Sequence, residues 1–184
     1  MAYSSIVKPS VYFNTKLYTG NGSTQNITGV GFQPDWIWQK ERSGTSYHVA
    51  TDAVRGNTKQ LFPNVSAAEA TDSNYITSFD SDGFGQGQNN DTNESGQTYV
   101  AWNWKANGAG SSNTDGDINS TVSANTTSGL SIVKYTGNGS NDQTVGHGLG
   151  ARPTAWFIKR LNADDWVVYH QGLGATQSAD WYDD

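Results

Sequence analysis

Apolar and polar residues alternate over short runs along most of the chain, which is the period of a half-buried β-strand. In the run "QTYVAWNWKA" at 97–106, Val100, Trp102 and Trp104 fall on one face and the intervening residues on the other. No run keeps a sustained apolar period of 3.6 residues. The pattern therefore predicts an all-β chain with very little helix.

Two other stretches refine this prediction. The run "SFDSDGFGQG" predicts two short strands around an Asp-Gly turn at 82–83, whereas 63–72 fits one helical turn or a loop. Aromatic and branched side chains on the strands are expected to supply most of the buried area. The predicted core residues are Trp36 or Ile37, Phe79, Phe84, Val100, Trp102, Trp104, Phe157 and Ile158.

The hexapeptide Tyr-Thr-Gly-Asn-Gly-Ser occurs twice, at 18–23 and at 135–140. In both places the same landmarks follow in the same order: a Gly-x-x-Pro step, an aromatic strand ending in lysine, a polar turn and a second apolar strand closed by glycine. Self-similarity of this kind indicates a duplicated structural module. Each Gly-Asn-Gly sequence predicts a turn that needs positive φ.

The duplication divides the chain into four predicted segments. They are an N-terminal arm at 1–11, a complete β-sandwich repeat at 12–106, a Gly/Ser/Asn-rich linker at 107–126 and the first part of a second repeat at 127–184. Ile118 and Val122 share a face and predict an edge strand within the linker. Because the second copy lacks counterparts of 74–106, we expect it to continue in a longer chain. The predicted architecture is antiparallel β-sandwich modules in tandem, jelly-roll or lectin-like.

Composition narrows the classes of function. The net charge of −6 and the pI near 4.8 are the opposite of the basic surface that nucleic-acid binding requires. The sequence has no apolar run long enough to insert into a membrane and no apolar core of a secretory signal at its start. It contains no cysteine, so disulfides and thiolate metal sites are excluded.

Catalytic motifs are sparse. The sequence has no Gly-x-Ser-x-Gly elbow, and His48, His147 and His170 lack the surrounding serine and aspartate pattern of a triad. Glutamates are few and most aspartates lie in turn contexts, which argues against the paired carboxylates of a glycosidase. We therefore expect no enzymatic activity, no catalytic residue and no cofactor.

Two aspartate pairs have the i, i+2 spacing of calcium loops, Asp80 with Asp82 and Asp115 with Asp117. The closing glutamate of the twelve-residue calcium loop is missing in both places. The sequence therefore favours ordinary Asp-Gly turns, and we assign no metal ligand.

Four phrases of the sequence carry a family resemblance: "IVKPSVYFNTKLYTGNGSTQNITGVGFQPDWIWQK", "SFDSDGFGQG", "GQTYVAWNWKANG" and "GLSIVKYTGNGSNDQTVGHGLGARPTAWFIKR". They resemble the tandem-repeat virion structural or tail-fibre-like proteins of tailed phages of aquatic bacteria, including cyanobacteria. The likeness covers nearly the whole chain, from Ile6 to Gly174. It implies a multi-copy particle protein built of repeated β-rich domains, with no established catalytic residues.

The resemblance leads to a first hypothesis and to alternatives. The first is a phage virion structural protein, a tail-fibre or receptor-binding component attached to the tail by its N-terminal region. The alternatives are a capsid decoration protein and a carbohydrate-binding lectin or glycan-active enzyme. The expected location is the virion, after assembly in the host bacterial cytoplasm, where a chain without cysteine is at home. The expected partners are further copies of the chain, with a trimer favoured, other virion tail proteins and a host surface glycan.

An adhesive chain of this type is expected to place its contact residues in turns, because strands form the scaffold and loops carry the binding groups. The candidate receptor or partner contacts are Asn21, Asp82, Asn138, His147, Asp164 and Asp165.

Overall fold

The computed structural model describes residues 6, 8–174 and 179–180, the last two by their backbone. Two predicted segments, the N-terminal arm at 1–11 and the end of the second repeat at 175–184, lie partly outside these residues. Within the arm, Pro9–Val11 form a short 3-10 turn immediately before the first strand.

Strands account for most of the regular structure, and every named pair of strands is antiparallel. The strands are β1 (Phe13–Thr19), β2 (Gln25–Thr28), β3 (Trp36–Glu41), β4 (Val49–Asp52), β5 (Lys59–Leu61), β6 (Ala70–Thr71), β7 (Ile76–Asp80), β8 (Gly83–Gln86), β9 (Thr98–Trp104), β10 (Ser111–Asn113), β11 (Ser120–Asn125), β12 (Leu130–Tyr135), β13 (Ala155–Lys159), β14 (Trp166–His170) and β15 (Ala179–Asp180). Among the described residues there is one four-residue α-helix, α1 (Asn90–Asn93). The prediction of an all-β chain with very little helix is confirmed.

The first copy consists of two sheets that share a hydrophobic core. A six-stranded sheet has the order β1-β9-β3-β4-β5-β6, and a three-stranded sheet with the order β2-β8-β7 packs on it. The core cluster draws residues from both sheets: Ile27, Ile37, Ile76, Phe84 and Ala101. The predicted hairpin is confirmed, since β7 and β8 pair, but its turn lies one residue earlier, at 81–82, with Gly83 opposite Asp80 as the first residue of β8.

The larger sheet buries a different face of β9 from the one that the sequence favoured. Tyr99, Ala101 and Asn103 point toward the smaller sheet and are fully buried. Trp102 and Trp104 lie on the opposite face and are half-buried. Alternation shows that a strand has two unlike faces, but only the position of the covering sheet decides which face is interior.

Of the other predicted core residues, some are buried and some are partly or largely exposed. Ile37, Phe84 and Val100 are buried, whereas Trp36 and Phe79 are half-buried. The prediction was wrong for two residues of β13, because Phe157 is 45% exposed and Ile158 is 38% exposed. That strand belongs to a three-stranded sheet, which is too small to bury its large side chains completely.

The second copy is divided between two small sheets, with orders β10-β11-β12 and β13-β14-β15. The segment 107–126, which we expected to be a linker, holds β10 and β11. The predicted strand is present as β11, in which Val122 is buried, but it is the central strand between β10 and β12 and not an edge strand. Ile118 lies outside it and forms an isolated parallel bridge with Val145. Pairing with β12 explains why a Gly/Ser/Asn-rich segment forms strand here.

The two copies repeat the same local contacts. Lys40 Nζ donates to the carbonyl oxygens of Glu41, at the end of β3, and of Gly44, in the following turn, at 2.8 and 3.1 Å. Lys159 Nζ likewise donates to two carbonyl oxygens directly after β13, at 2.7 and 3.0 Å. These pairs of hydrogen bonds give the structural reason for the lysine that ends the aromatic strand in each copy.

The β13–β14 hairpin packs on the outer face of the first copy. Trp166 is buried against Ala50 and Leu61, and its Nε1 donates to the carbonyl oxygen of Phe62 at 3.3 Å. Two backbone bonds join the neighbouring loops, from Glu69 N to Leu161 O and from Asp164 N to Ser66 O, each 2.8 Å. The second copy therefore covers one end of the larger sheet.

Candidate functional site

Two surfaces of the molecule have the character of binding sites. The first, here called the aromatic face, is the outer side of β1, β9 and β3. Register places its side chains in adjacent rows: Phe13, Leu17, Trp36, Trp38, Val100, Trp102 and Trp104.

The rings of the aromatic face contact one another. Trp36 stacks on Trp104 with centroids 4.7 Å apart, and Phe13 lies 4.9 Å from Trp104. Trp38 meets the edge of Trp102 at 6.2 Å. Mutual packing holds these large side chains in fixed orientations, so the face is a preformed apolar surface.

One part of the aromatic face is covered and another is open to solvent. Trp36 and Trp38 border a small apolar groove whose other walls are Pro63, Phe157 and Trp166. On the edge strand β1, Phe13 is 39% exposed and Leu17 is 60% exposed. Clustered exposed apolar residues beside an apolar contact mark an interaction surface.

His48 borders the aromatic face through a hydrogen bond. Trp38 Nε1 donates to His48 Nδ1 at 2.9 Å, which requires that nitrogen to be unprotonated. Burial lowers the pKa of His48 below its usual value, and the positive charge of Lys40 lowers it further. The neutral imidazole is therefore the form that fits this position.

The second surface, here called the His147 cleft, is an open cavity of about 410 Å³ in the second copy. It is lined by Asp115, Val145, Gly146, His147, Gly148, Gly150, Ala151 and Arg152. Glycines shape one wall, and a Cβ at Gly146 would collide with the side chain of Asn113, the last residue of β10. The glycine loop and the end of β10 are therefore in close contact at one side of the cleft.

Three polar side chains of the cleft are held by neighbouring groups. The backbone N–H of Leu149 donates to His147 Nδ1 at 3.2 Å. Arg152 Nη2 donates to the hydroxyl of Tyr169 at 2.9 Å, and Asp115 accepts a 2.8 Å bond from Asn113. These contacts combine a cation, a carboxylate and an imidazole at the edge of one cavity.

Asn21 and Asn138 occupy equivalent turns of the two copies. Asn21 Oδ1 accepts from Ser23 N at 2.8 Å, and Asn138 Oδ1 accepts from Ser140 N at 3.0 Å. The glycine after each asparagine has positive φ, 69° at Gly22 and 77° at Gly139, as the sequence predicted for this turn. Both amides thus close their own turns.

Asp82 lies in the turn between β7 and β8 and joins that turn to the loop after β2. Its two carboxylate oxygens accept from Gly31 N at 2.7 Å and from Gly29 N at 3.0 Å. These bonds, first that of Gly31, and the positive charge of Lys16 lower the pKa of Asp82 below its usual value. The carboxylate is therefore engaged in a structural role.

Asp164 and Asp165 lie in the exposed turn between β13 and β14. Arg160 Nη1 donates to Asp164 at 3.2 Å, and the N–H of Asp165 donates to the same side chain. These two bonds lower the pKa of Asp164, with that of Arg160 contributing most. The turn presents a local ion pair at the surface.

The six predicted contact residues thus lie in separate turns, with Asp164 and Asp165 adjacent, and their role as contacts stays a prediction. His147 is the one that lines the cavity of about 410 Å³. Sequence reasoning missed Arg152 of that cleft and Phe13 and Leu17 of the aromatic face. Phe13 and Leu17 lie on one face of β1, but the residue between them on that face is Thr15, so the sequence does not show a continuous apolar face.

The acidic pairs proposed as calcium-loop alternatives hold backbone and side-chain donors. Asp117 accepts from the hydroxyl and the N–H of Thr144, at 2.6 and 3.0 Å, and these bonds lower its pKa. In the described part of the chain, no group of three or more His, Asp or Glu residues is arranged to hold a metal ion. Nor does any helix there combine the length and apolar character needed to cross a membrane.

Comparison with known proteins gives a family and nothing beyond it. No curated protein and no solved structure matches the chain significantly. One family model, described as a domain of unknown function, matches residues 8–182 and thus extends across both copies of the repeat. On this match the chain belongs to the DUF7483 family.

Proposed function

We propose that the chain is a non-catalytic structural protein of a phage particle, a tail-fibre or receptor-binding component that works as a homo-oligomer, with a trimer favoured. In this proposal the two copies are β-sandwich modules in tandem, of jelly-roll or lectin-like type, and the N-terminal region attaches to the tail. The family resemblance of the repeat motifs supports the particle role.

The observation that carries the proposal is the aromatic face. A face that already accepts the hairpin of the second copy at one end has the right chemistry to accept another copy of the chain at the other. Leu17 and Phe13 lie at that other end, on the edge strand β1. Burying them against a symmetric partner would remove apolar area from water at about 25 cal/mol per Å² and would cover a sheet edge.

The assembly is tested on the purified chain and on intact particles. Native mass spectrometry and light scattering give its mass, and cryo-electron microscopy of particles gives its location and symmetry. The variant Leu17→Glu places a charge in the proposed contact and is expected to yield monomers. The control Tyr135→Glu places the same charge on an exposed aromatic residue outside the aromatic face and is expected to leave the assembly intact.

Three outcomes separate the candidates. A trimer projecting from the tail supports the tail-fibre proposal. Copies distributed over the capsid refute that proposal and support a capsid-decoration role. A wild-type chain that stays monomeric at every concentration refutes assembly through the aromatic face.

A carbohydrate-binding role is the second candidate, and the His147 cleft favours it. Loops that carry polar side chains around a cavity are the usual position for a glycan site on a β scaffold. This role is compatible with the particle proposal, because a receptor-binding component of a tail requires a surface ligand.

A further inference from the structure

We propose that the His147 cleft binds an acidic saccharide, with the sugar carboxylate on Arg152 and the ring hydroxyls on Asp115 and His147. The inference deepens the receptor-binding role proposed above and rests on it for its biological meaning. The binding itself is a property of the isolated chain and is measured separately from its location in a particle.

Arg152 is the group that selects a carboxylate. Its Nη2 bond to Tyr169 uses one of the five N–H donors of the guanidinium, and no other hydrogen bond of this side chain occurs among the described residues. Tyr169 is 6% exposed and stacks on Trp156 with centroids 5.0 Å apart. A guanidinium anchored by a buried ring loses less freedom on binding, and its planar fork matches a carboxylate.

Asp115 and His147 supply an acceptor and a donor for hydroxyls. The Nδ1 of His147 accepts from Leu149 N, so the neutral ring carries its proton on Nε2, which is then the donor. Asp115 is held by its bond from Asn113 and retains further acceptor capacity as a carboxylate. Hydroxyl groups both donate and accept, and therefore suit this mixed pair.

The glycine wall gives the ligand access to the backbone. Gly148 and Gly150 both have a φ of 69°, which turns the loop around the cavity without side chains. Among the described residues, no backbone carbonyl accepts a hydrogen bond from the N–H group of Gly148 or Gly150. Backbone N–H groups that lack an internal acceptor are donors that favour an anionic ligand.

The size of the cleft agrees with a sugar. A volume of about 410 Å³ is at the lower end of the range for small-molecule sites. A cavity that is open to solvent and lined by both charges fits a hydrated, polar ligand better than an apolar one. We therefore choose glucuronic acid as the probe, with glucose and acetate as its neutral and non-sugar counterparts.

The test is a titration of the ¹⁵N-labelled full chain followed by amide NMR. Glucuronate is expected to shift the signals of residues 146–152 saturably, and glucose and acetate to bind about ten-fold more weakly, because each lacks one half of the recognised groups. Arg152→Met is expected to lower glucuronate affinity by about ten-fold or more, since it removes a charge-assisted contact.

Two further variants keep the test decisive. Arg160→Met removes a positive charge outside the cleft and is expected to leave affinity unchanged. Tyr169→Phe keeps the stack on Trp156 but releases the anchor of Arg152, and is expected to weaken glucuronate binding less than Arg152→Met does. Tyr169→Phe therefore tests the contribution of Arg152 to glucuronate binding even where Arg152→Met disturbs the loop.

Several results overturn the inference. They are equal affinity for glucose and glucuronate, equal affinity for acetate and glucuronate, shifts outside the cleft, and equal losses in Arg160→Met and Arg152→Met. If the protein binds glucuronate but is absent from particles, the saccharide site is supported and the particle role is refuted. If the protein is located in the tail but binds no saccharide, the particle role is supported and the saccharide site is refuted.

Discussion

The duplicated hexapeptide offers a test in which the chain provides its own control. Gly20 and Gly137 are the first glycines of the two Gly-Asn-Gly turns. A Cβ at Gly20 would lie 2.8 Å from the carbonyl carbon of Asn93 and 2.9 Å from a ring carbon of Tyr99, and closer still to the carbonyl oxygen of Glu94. A Cβ at Gly137 would have no atom within 4 Å.

The cost of Gly20→Ala follows from what the new methyl group meets. Two of the three atoms are backbone, in a segment fixed by bonds such as Gly22 N to Asn93 O at 2.8 Å and Gly96 N to Gly20 O at 2.9 Å. Overpacking of this kind costs about 1–3 kcal/mol, and rigid neighbours place Gly20→Ala near about 3 kcal/mol. Gly137→Ala meets open space, so we expect a change within about 0.5 kcal/mol.

Urea denaturation followed by tryptophan fluorescence measures both variants. With a slope of about 2 kcal/mol per molar urea, the midpoint of Gly20→Ala should fall by about 1.5 M. The Gly137→Ala midpoint should stay close to that of the wild type. Equal losses in the two variants would refute the reasoning, because they would show that the turn itself, and not its contact with the 93–99 segment, requires glycine.

Three further predictions follow from buried contacts. Because the pKa of His48 is lowered in the fold, its contribution to stability is full above its ordinary value of 6.5 and is lost as the pH falls through the folded pKa. The unfolding free energy of His48→Gln should therefore depend less on pH on the acid side, because the variant removes the buried imidazole beside the positive charge of Lys40. Arg55→Met removes the guanidinium from Asp52 and Glu69 and leaves Glu69 only the more distant Lys59, at 3.9 Å; we expect a loss of about 3 kcal/mol in unfolding free energy, against no measurable loss for the exposed Arg160→Met. Phe84→Ala creates a cavity between the two sheets and should cost about 3–5 kcal/mol by the same measurement, and a loss below about 1 kcal/mol would contradict the shared core.

Local patterns in the sequence predict local structure well. The β7–β8 hairpin, the two Gly-Asn-Gly turns and the strand character of 97–106 all follow from backbone preferences of few residues. Which face of a strand is interior does not follow, because it depends on a second sheet formed by distant residues. The pattern therefore predicted Trp102 and Trp104 as core residues, whereas the neighbouring Ala101 and Asn103 are the residues buried in the core.

The candidate sites show the same division. His147 could be selected from the sequence because a histidine between glycines marks an accessible turn. Arg152 could not, since it shares a cavity with Asp115 only because the segment after β10 and the loop after Val145 meet in space. The short helix α1 was also missed, although Asn89 caps it by accepting from Asp91 N, because four residues leave no periodic signal.

The junction between the two copies has a consequence for how the protein tolerates sequence change. Two of its bonds, Glu69 N to Leu161 O and Asp164 N to Ser66 O, join main-chain atoms, which every residue except proline provides. Substitutions at the exposed positions Ser66, Leu161 and Asp164 can therefore alter the surface chemistry of the molecule while these main-chain bonds persist. Under selection for a changed surface, these exposed positions can vary with little loss of stability.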